Sequence, residues 1–206
     1  MNWIDNKVIN TLGKVIDLIL LNMLWCVCSL PIITMGAATS ALYAVMLKMV
    51  KNEEGYIYKD FFRALKENFR KSTEIWLIVL LIGIIAAVDF RILQMLRIGE
   101  GIKMIFYVGL VFIMIMTVCM SLYAFPMAAR YENTVKNTMK NALILSIVQF
   151  KYTILMLAVT IIPMAVTCLS VKFMAIGMVI WFVAGVAVVV WINSCVLRKV
   201  FLAFEK

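Results

Sequence analysis

Hydrophobic residues in this chain come in long blocks, not in alternation or narrow helical stripes. The blocks cover residues 15–31, 34–50, 75–96, 105–129, 152–169 and 173–192, each close to the roughly 17–25 residues a helix needs to cross a bilayer core about 30 Å thick. The first two form one stretch from Val15 to Val50, which as a single helix would be about 54 Å long. It must break, and the break is expected over Leu30-Pro31-Ile32-Ile33-Thr34-Met35-Gly36, where Pro31 removes a backbone donor and Gly36 permits a turn. Two arrangements satisfy this: a hairpin of two short spans, or one span followed by a helix half-buried at the interface. The uncharged part of the third block ends at Val88, about 21 Å from its start, so Asp89 and Arg91 are expected near one membrane face. Little more than Ser170, Val171 and Lys172 separates the last two blocks, which predicts an antiparallel pair with almost no exposed loop.

The expected fold is therefore all-α, a polytopic transmembrane helical bundle of five or six spans in one integral membrane domain over 1–206. The 51–74 and 130–151 connections are its polar loops. Composition agrees: 65% of the 206 residues are hydrophobic and 15% charged, against about 45–50% and 25% in soluble domains. Nine glycines and three prolines exclude a collagen-like or linker-rich chain, and the absence of histidine excludes imidazole chemistry. The basic start, apolar run and small residues at Gly36, Ala37 and Ala38 resemble a secretory signal, but the apolar run continues past them and contains Asp17 and Asn22, so no cleavage is expected.

The net charge of +9 is spread between apolar blocks, not gathered on a soluble patch, so topology, not nucleic acid, is its expected cause. Six spans with both termini inside put sixteen of the twenty basic residues on the inner side and leave Arg91, Arg97, Lys103 and Lys172 outside. Five spans move Lys7 and Lys14 out, leaving fourteen inside. The bias favours six spans, with both loops and both termini cytoplasmic.

Both loops read as amphipathic. In the first, Phe62, Leu65 and Phe69 fall at helical spacing with Phe61 beside them, while Arg63, Lys66, Glu67 and Arg70 take the other face. Gly55 is expected to turn just before this helix and Asp60 to cap or charge its first turn. The second loop follows Pro126, which is expected to kink or end the fourth span. It carries Arg130, then Val135, Met139 and Leu143 at helical spacing with Lys136 and Lys140 between them. Such helices suit a headgroup layer, with the phenylalanines immersed, or a protein partner.

Polar residues in and at the ends of the blocks are few: Asp17, Asn22, Asp89 and Arg91, with Gln149 and Lys151 entering the fifth block and Asn193 with Ser194 ending the sixth. Most lie within a turn or two of a predicted span end, which favours interface anchoring over a conduction path. No nucleophile elbow, phosphate-binding glycine loop or carboxylate pair is present. The cysteines Cys26, Cys28, Cys119, Cys168 and Cys195 lie in apolar stretches without C-x-x-C spacing and read as small buried hydrophobes. No enzyme activity, cofactor or metal is expected.

Leu30-Pro31-Ile32-Ile33-Thr34-Met35-Gly36-Ala37-Ala38, then Ala41-Leu42-Tyr43, Glu53-Glu54-Gly55-Tyr56, Asp60-Phe61-Phe62-Arg63 and Asn68-Phe69 resemble the signature half of the YesL-like family of bacterial membrane proteins, a domain of unknown function. Phe125-Pro126-Met127-Ala128-Ala129-Arg130-Tyr131 with Lys140-Asn141-Ala142 is similar to the family's second recurring stretch. The resemblance implies an integral membrane protein of Gram-positive type bacteria, commonly encoded beside carbohydrate ABC importers and glycan-degrading enzymes. It carries over no catalytic residue. The function expected is therefore a non-enzymatic accessory to oligosaccharide uptake, with importer subunits and the lipid bilayer as partners; the alternative is a transport or channel subunit in its own right.

Overall fold

The computed structural model describes the backbone of residues 3–53, 55–96 and 99–204, and side chains from residue 12 to residue 202 within those limits. Arg97 and Lys206 of the charge bias and Glu54 of the family pattern lie outside the described residues, as does the side chain of Lys7. The described residues form helices and no strand: α1 (Trp3–Ser29), α2 (Met35–Lys51), α3 (Ile57–Met95), α4 (Glu100–Arg130), α5 (Val135–Val148), α6 (Phe150–Cys168), α7 (Val171–Ile180) and α8 (Val186–Phe204). A 3-10 turn, Ile32–Thr34, joins α1 to α2, and a π turn, Trp181–Gly185, joins α7 to α8 as one continuous rod. Six stretches are long and apolar enough to cross a membrane: Leu12–Ser29, Ile32–Lys51, Ile57–Met95, Glu100–Arg130, Phe150–Cys168 and Val171–Leu202.

The first apolar stretch breaks at Pro31. Leu30 N–H reaches only the Val27 carbonyl, and the Thr34 hydroxyl donates to the carbonyls of Cys28 (2.6 Å) and Pro31 (2.8 Å). Trp76 Nε1 on α3 donates to the Ile32 carbonyl at 2.7 Å. Carbonyls freed by the break are thus satisfied by side chains, as a site without water requires. Gly36 is not part of the break. It lies in the first turn of α2, where a Cβ would stand 2.4 Å from Trp76 Cβ and 2.6 Å from the Ser72 carbonyl oxygen. Its role is close approach of two helices, the use membrane bundles make of small residues.

Helix α2 is the centre of the bundle. Gly36, Ala37, Ala38, Ser40, Ala41 and Leu42 are all buried in its first half, and the small side chains let α1, α3, α4 and α8 close around it. The Ser72 hydroxyl donates to Ser40 Oγ (2.8 Å), which donates to the Phe125 carbonyl (3.1 Å), linking α3, α2 and α4. Phe125 precedes Pro126, and α4 continues through that proline to Arg130. Pro126 therefore does not end the helix; its missing N–H falls within the last turns, among buried neighbours. At the other end of α2, Asn52 takes a left-handed conformation (φ 56°) and its N–H meets the carbonyls of Lys48 and Met49, a helix-ending role that Asn tolerates. The chain turns there and not at Gly55.

The loop helix and the third span are one helix. Glu74 does not interrupt α3, which runs 39 residues from Ile57 to Met95. Its polar half stands alongside α2, not flat on a surface: Asp60 pairs with Lys48 (3.4 Å) near one end and Trp76 meets Gly36 at the other. Asp60 is buried in the ion pair with Lys48 and Arg63; it charges the first turn of α3, as expected, without capping it.

Beyond Trp76 the apolar half of α3 runs with α4 as a hairpin that is exposed on most faces. Ala86 and Leu93 are the buried residues of α3 after Ile75, and burial on α4 begins at Cys119. Phe90 and Tyr107 pack across it with ring centres 5.4 Å apart. Leu81, Ile85, Val108, Phe112 and Ile115 are among its exposed residues, an apolar surface far larger than a soluble monomer presents. A hydrocarbon solvent covers such a surface without cost.

Candidate functional site

Two groups of residues bear on function: the polar faces of α3 and α5, and the polar side chains inside the bundle. On α3, Ile57, Asp60, Phe61, Ala64, Ser72 and Ile75 form the buried stripe. Phe61 is fully buried, against a sequence reading that put it with Phe62 and Phe69 toward the headgroups, while Phe62 and Phe69 are 50% and 44% exposed. Adjacent residues on a helix point about 100° apart, so Phe61 and Phe62 cannot share a face. The exposed side of α3 carries Phe62, Phe69, Lys66 and Arg70, with Arg63 bonded to Asp60 and Arg70 paired to Glu74 at 3.1 Å.

Helix α5 begins with Thr134, whose hydroxyl accepts the Asn137 N–H. Its buried face is Thr138, Ala142, Leu145 and Ser146. The expected stripe of Val135, Met139 and Leu143 is displaced by about one residue: Val135 and Met139 are half-buried and Leu143 is exposed. Lys136 and Lys140 are exposed. Arg130, last residue of α4, stacks over the rings of Tyr131 (5.6 Å) and Phe201 (5.0 Å). Lys71, just before the apolar half of α3, donates to the Tyr131 carbonyl at 2.7 Å.

Inside the bundle, Asn22 and Asn193 are structural bridges, not interface anchors. Asn22 is fully buried on α1. Its Nδ2 donates to the carbonyls of Trp181 (3.1 Å) and Phe182 (2.6 Å), and its Oδ1 accepts the Ala187 N–H at 3.0 Å. All three partners belong to the π turn and the first turn beyond it. A π turn leaves backbone groups without their regular helical partners, and one asparagine side chain, with two donors and an acceptor, satisfies three of them. Asn193 Nδ2 donates to Thr160 Oγ1 at 3.2 Å, joining α8 to α6, while its Oδ1 and the neighbouring Ser194 hydroxyl have no hydrogen-bond partner among the described residues. Asp17 is half-buried on α1, and Asp89 and Arg91 are exposed near the end of α3.

The composition of the spans does not announce the remaining bridges. The Tyr123 hydroxyl lies 2.9 Å from Thr153 Oγ1, and Trp25 Nε1 donates to Thr39 Oγ1 at 3.1 Å. Gly177 lets α7 approach α6, since a Cβ there would stand 2.3 Å from Thr167 Cγ2. Only the Gly36–Ser40 spacing, two small residues one turn apart, marks its partner face in the sequence. Among the described residues no three His, Cys, Asp or Glu side chains gather as metal ligands, and all five cysteines are unpaired.

The arrangement thus combines inter-helix polar clasps with an exposed face of cations and aromatic rings. Residues 18–90 match the family model described as a protein of unknown function, DUF624. The uncharacterized protein YteU of Bacillus subtilis (strain 168) is 30% identical over 148 residues, 68% of this chain. The match spans 64% of that relative's own length. No solved structure is significantly similar. The matched segment holds the Pro31 break, the buried helix α2 and most of α3, the same elements that carry the resemblance in the sequence, and the chain belongs to the YesL-like DUF624 family of membrane-type helical proteins.

Proposed function

We propose that this chain is a non-enzymatic accessory protein of the bacterial cell membrane that works with a carbohydrate ABC importer. In this reading both termini, the polar half of α3 and helix α5 face the cytoplasm. The carrying observation is the exposed face of α3, where Phe62 and Phe69 stand beside Lys66 and Arg70 along the length of α2. Aromatic rings next to an arginine, on a helix held upright by buried contacts, are a composition that protein interfaces favour. The importer as partner follows from the genomic company the resemblance implies, and no residue of this chain selects the sugar. The internal polar residues favour the accessory reading over a conducting one, because Asn22, Ser40, Ser72 and Tyr123 spend their polar atoms on other helices.

The test is co-purification in mild detergent from a host that encodes the importer. Recovery of the importer's permease and ATPase subunits with wild type, and their loss with Lys66→Glu/Arg70→Glu, is the expected result; these substitutions leave the Lys48–Asp60–Arg63 cluster intact. Equal recovery from wild type and variant, or recovery from neither, overturns the docking face. Solute flux through liposomes containing only this protein would support the transport alternative instead.

A further inference from the structure

No charged residue lies between Asp17 and Lys48, so the α1–α2 turn lacks the anchors found at the α3–α4 turn (Arg97, Glu100, Lys103) and the α6–α7 turn (Lys172). Leu30, Ile32 and Ile33 at its tip are exposed. The carbonyls of Cys28, Pro31 and Ile32 are nevertheless partnered without water, by the Thr34 hydroxyl and Trp76 Nε1. We propose that the α1–α2 hairpin is re-entrant: residues 30–33 are an interaction surface for lipid acyl chains in the leaflet nearer the polar half of α3, and the hairpin enters and leaves on that side without reaching the opposite face.

Helix α3 measures the depth of that tip. Trp76 touches it, and α3 continues for 19 residues to Met95, about 28 Å of helix. A tilt of about 40°, the steep end of the usual range, leaves about 22 Å of that along the membrane normal. Helix α4 agrees: the Phe125 ring packs on Trp76 with centres 6.4 Å apart, 25 residues from Glu100 at the other end of the helix. Above the tip the α3–α4 hairpin is apolar to its end, with Phe90, Ile92 and Met95 exposed on α3 and Ile102, Ile105 and Phe106 on α4. Asp89 and Arg91 interrupt that surface only within two turns of the end of α3, where side chains reach the interface. The hairpin therefore needs hydrocarbon along nearly its whole length, and its turn marks one face of a core about 30 Å thick. The Pro31 tip lies at least about 22 Å below that face, in the other half of the core. Helices α1 and α2 are long enough to cross, but α2 stands beside the polar half of α3, with Lys48 on Asp60 and Gly36 on Trp76. The apolar half of α3 continues where α2 stops, and the two laid end to end would need a core of about 50 Å. None of these distances depends on which side the polar half of α3 faces, or on an importer.

The test is sided thiol labelling of the full chain in protoplasts and in inverted membrane vesicles, with a charged, membrane-impermeant maleimide and peptide mass spectrometry to locate each adduct. Gly99→Cys should label from one side and Glu53→Cys from the other. Leu30→Cys and Ile33→Cys should label from neither side, reacting about a hundredfold more slowly than Gly99→Cys, the order of factor by which a charge is disfavoured in the core. Both should label fully once the protein is dissolved in SDS. A nitroxide on Ile33→Cys should be relaxed by dissolved oxygen and not by a water-soluble nickel complex. In wild type Cys28, two residues before Leu30, should be spared as well, a readout that needs no variant. Rapid labelling of Leu30→Cys or Ile33→Cys from the Gly99 side would make α1 and α2 full spans, labelling from the Glu53 side would place the tip in water, and relaxation by nickel would contradict contact with hydrocarbon; each overturns the proposal. A chain inserted the other way round would exchange the sides of Gly99→Cys and Glu53→Cys and leave the tip silent, which contradicts the cytoplasmic docking face and supports the re-entrant hairpin.

Discussion

Replacing Asn22 with leucine tests how the last transmembrane rod is held. The two side chains have the same number of heavy atoms and branch at the same carbon, so Asn22→Leu removes polar atoms without opening a cavity. Three hydrogen bonds to the last rod are lost, two to the Trp181 and Phe182 carbonyls and one from the Ala187 N–H. Bonds between membrane helices are worth about 0.6 kcal/mol on average and up to about 1.7 kcal/mol, so three independent bonds give about 2 kcal/mol. Stranding backbone groups in a dry interior raises that figure, because an unmet buried donor or acceptor costs about 1–3 kcal/mol by itself. The expected loss is therefore about 2–3 kcal/mol, read as a shift in the SDS-titration unfolding midpoint in mixed micelles. A π turn behaves as one residue inserted in an α-helix. Deleting Ala184, inside the turn, should convert the segment to regular helix, supply the missing partners internally and restore stability to Asn22→Leu. A loss below about 0.5 kcal/mol in the single variant, or a further loss on deleting Ala184, would refute the clasp.

Gly36→Ala should destabilise the bundle by about 1–3 kcal/mol in the same titration, because the added methyl meets Trp76 Cβ and the Ser72 backbone and forces α2 from α3; unchanged stability would contradict the close approach. Phe61→Ala should cost about 3–5 kcal/mol and Phe62→Ala less than about 0.5 kcal/mol, since the first ring is buried and the second half exposed. Similar losses for both would put the α3 stripe in the wrong phase. Asp60→Asn should cost about 1 kcal/mol, because it removes the carboxylate shared by two partly exposed cations, Lys48 and Arg63, beside α2; a neutral result would show that the α2–α3 contact does not depend on that pair.

The apolar blocks were legible because a helix in hydrocarbon must satisfy its own backbone, which makes length and composition nearly sufficient. Pro31 was legible for a similar reason, since a missing donor has a fixed local consequence. Gly36 was misread because glycine serves both turns and close contacts, and only the neighbour on α3 distinguishes the two. The phase of the α3 stripe was ambiguous by one residue: Phe61 and Phe62 are equally apolar, and a charged outer face is compatible with either being inside. The continuity of α3 was obscured by Glu74 and the change from polar to apolar residues, although neither breaks a helix. The π turn had no local signature at all. Its partner, Asn22, is more than 150 residues away in the chain, and a lone polar residue in a span reads the same whether it faces headgroups or clasps another helix.

The account rests on sidedness, with the α2–α3 turn, the α4–α5 connection and the C-terminus on one side and the α3–α4 and α6–α7 turns on the other. Alkaline phosphatase fusions measure this directly. Fusions after Gly99 and Ser170 should be active outside the cell, and fusions after Asn52, Asn133 and Phe204 should be inactive. Activity at Asn52 or Asn133, or silence at Gly99 and Ser170 from stable fusions, would contradict the topology and the cytoplasmic docking face with it.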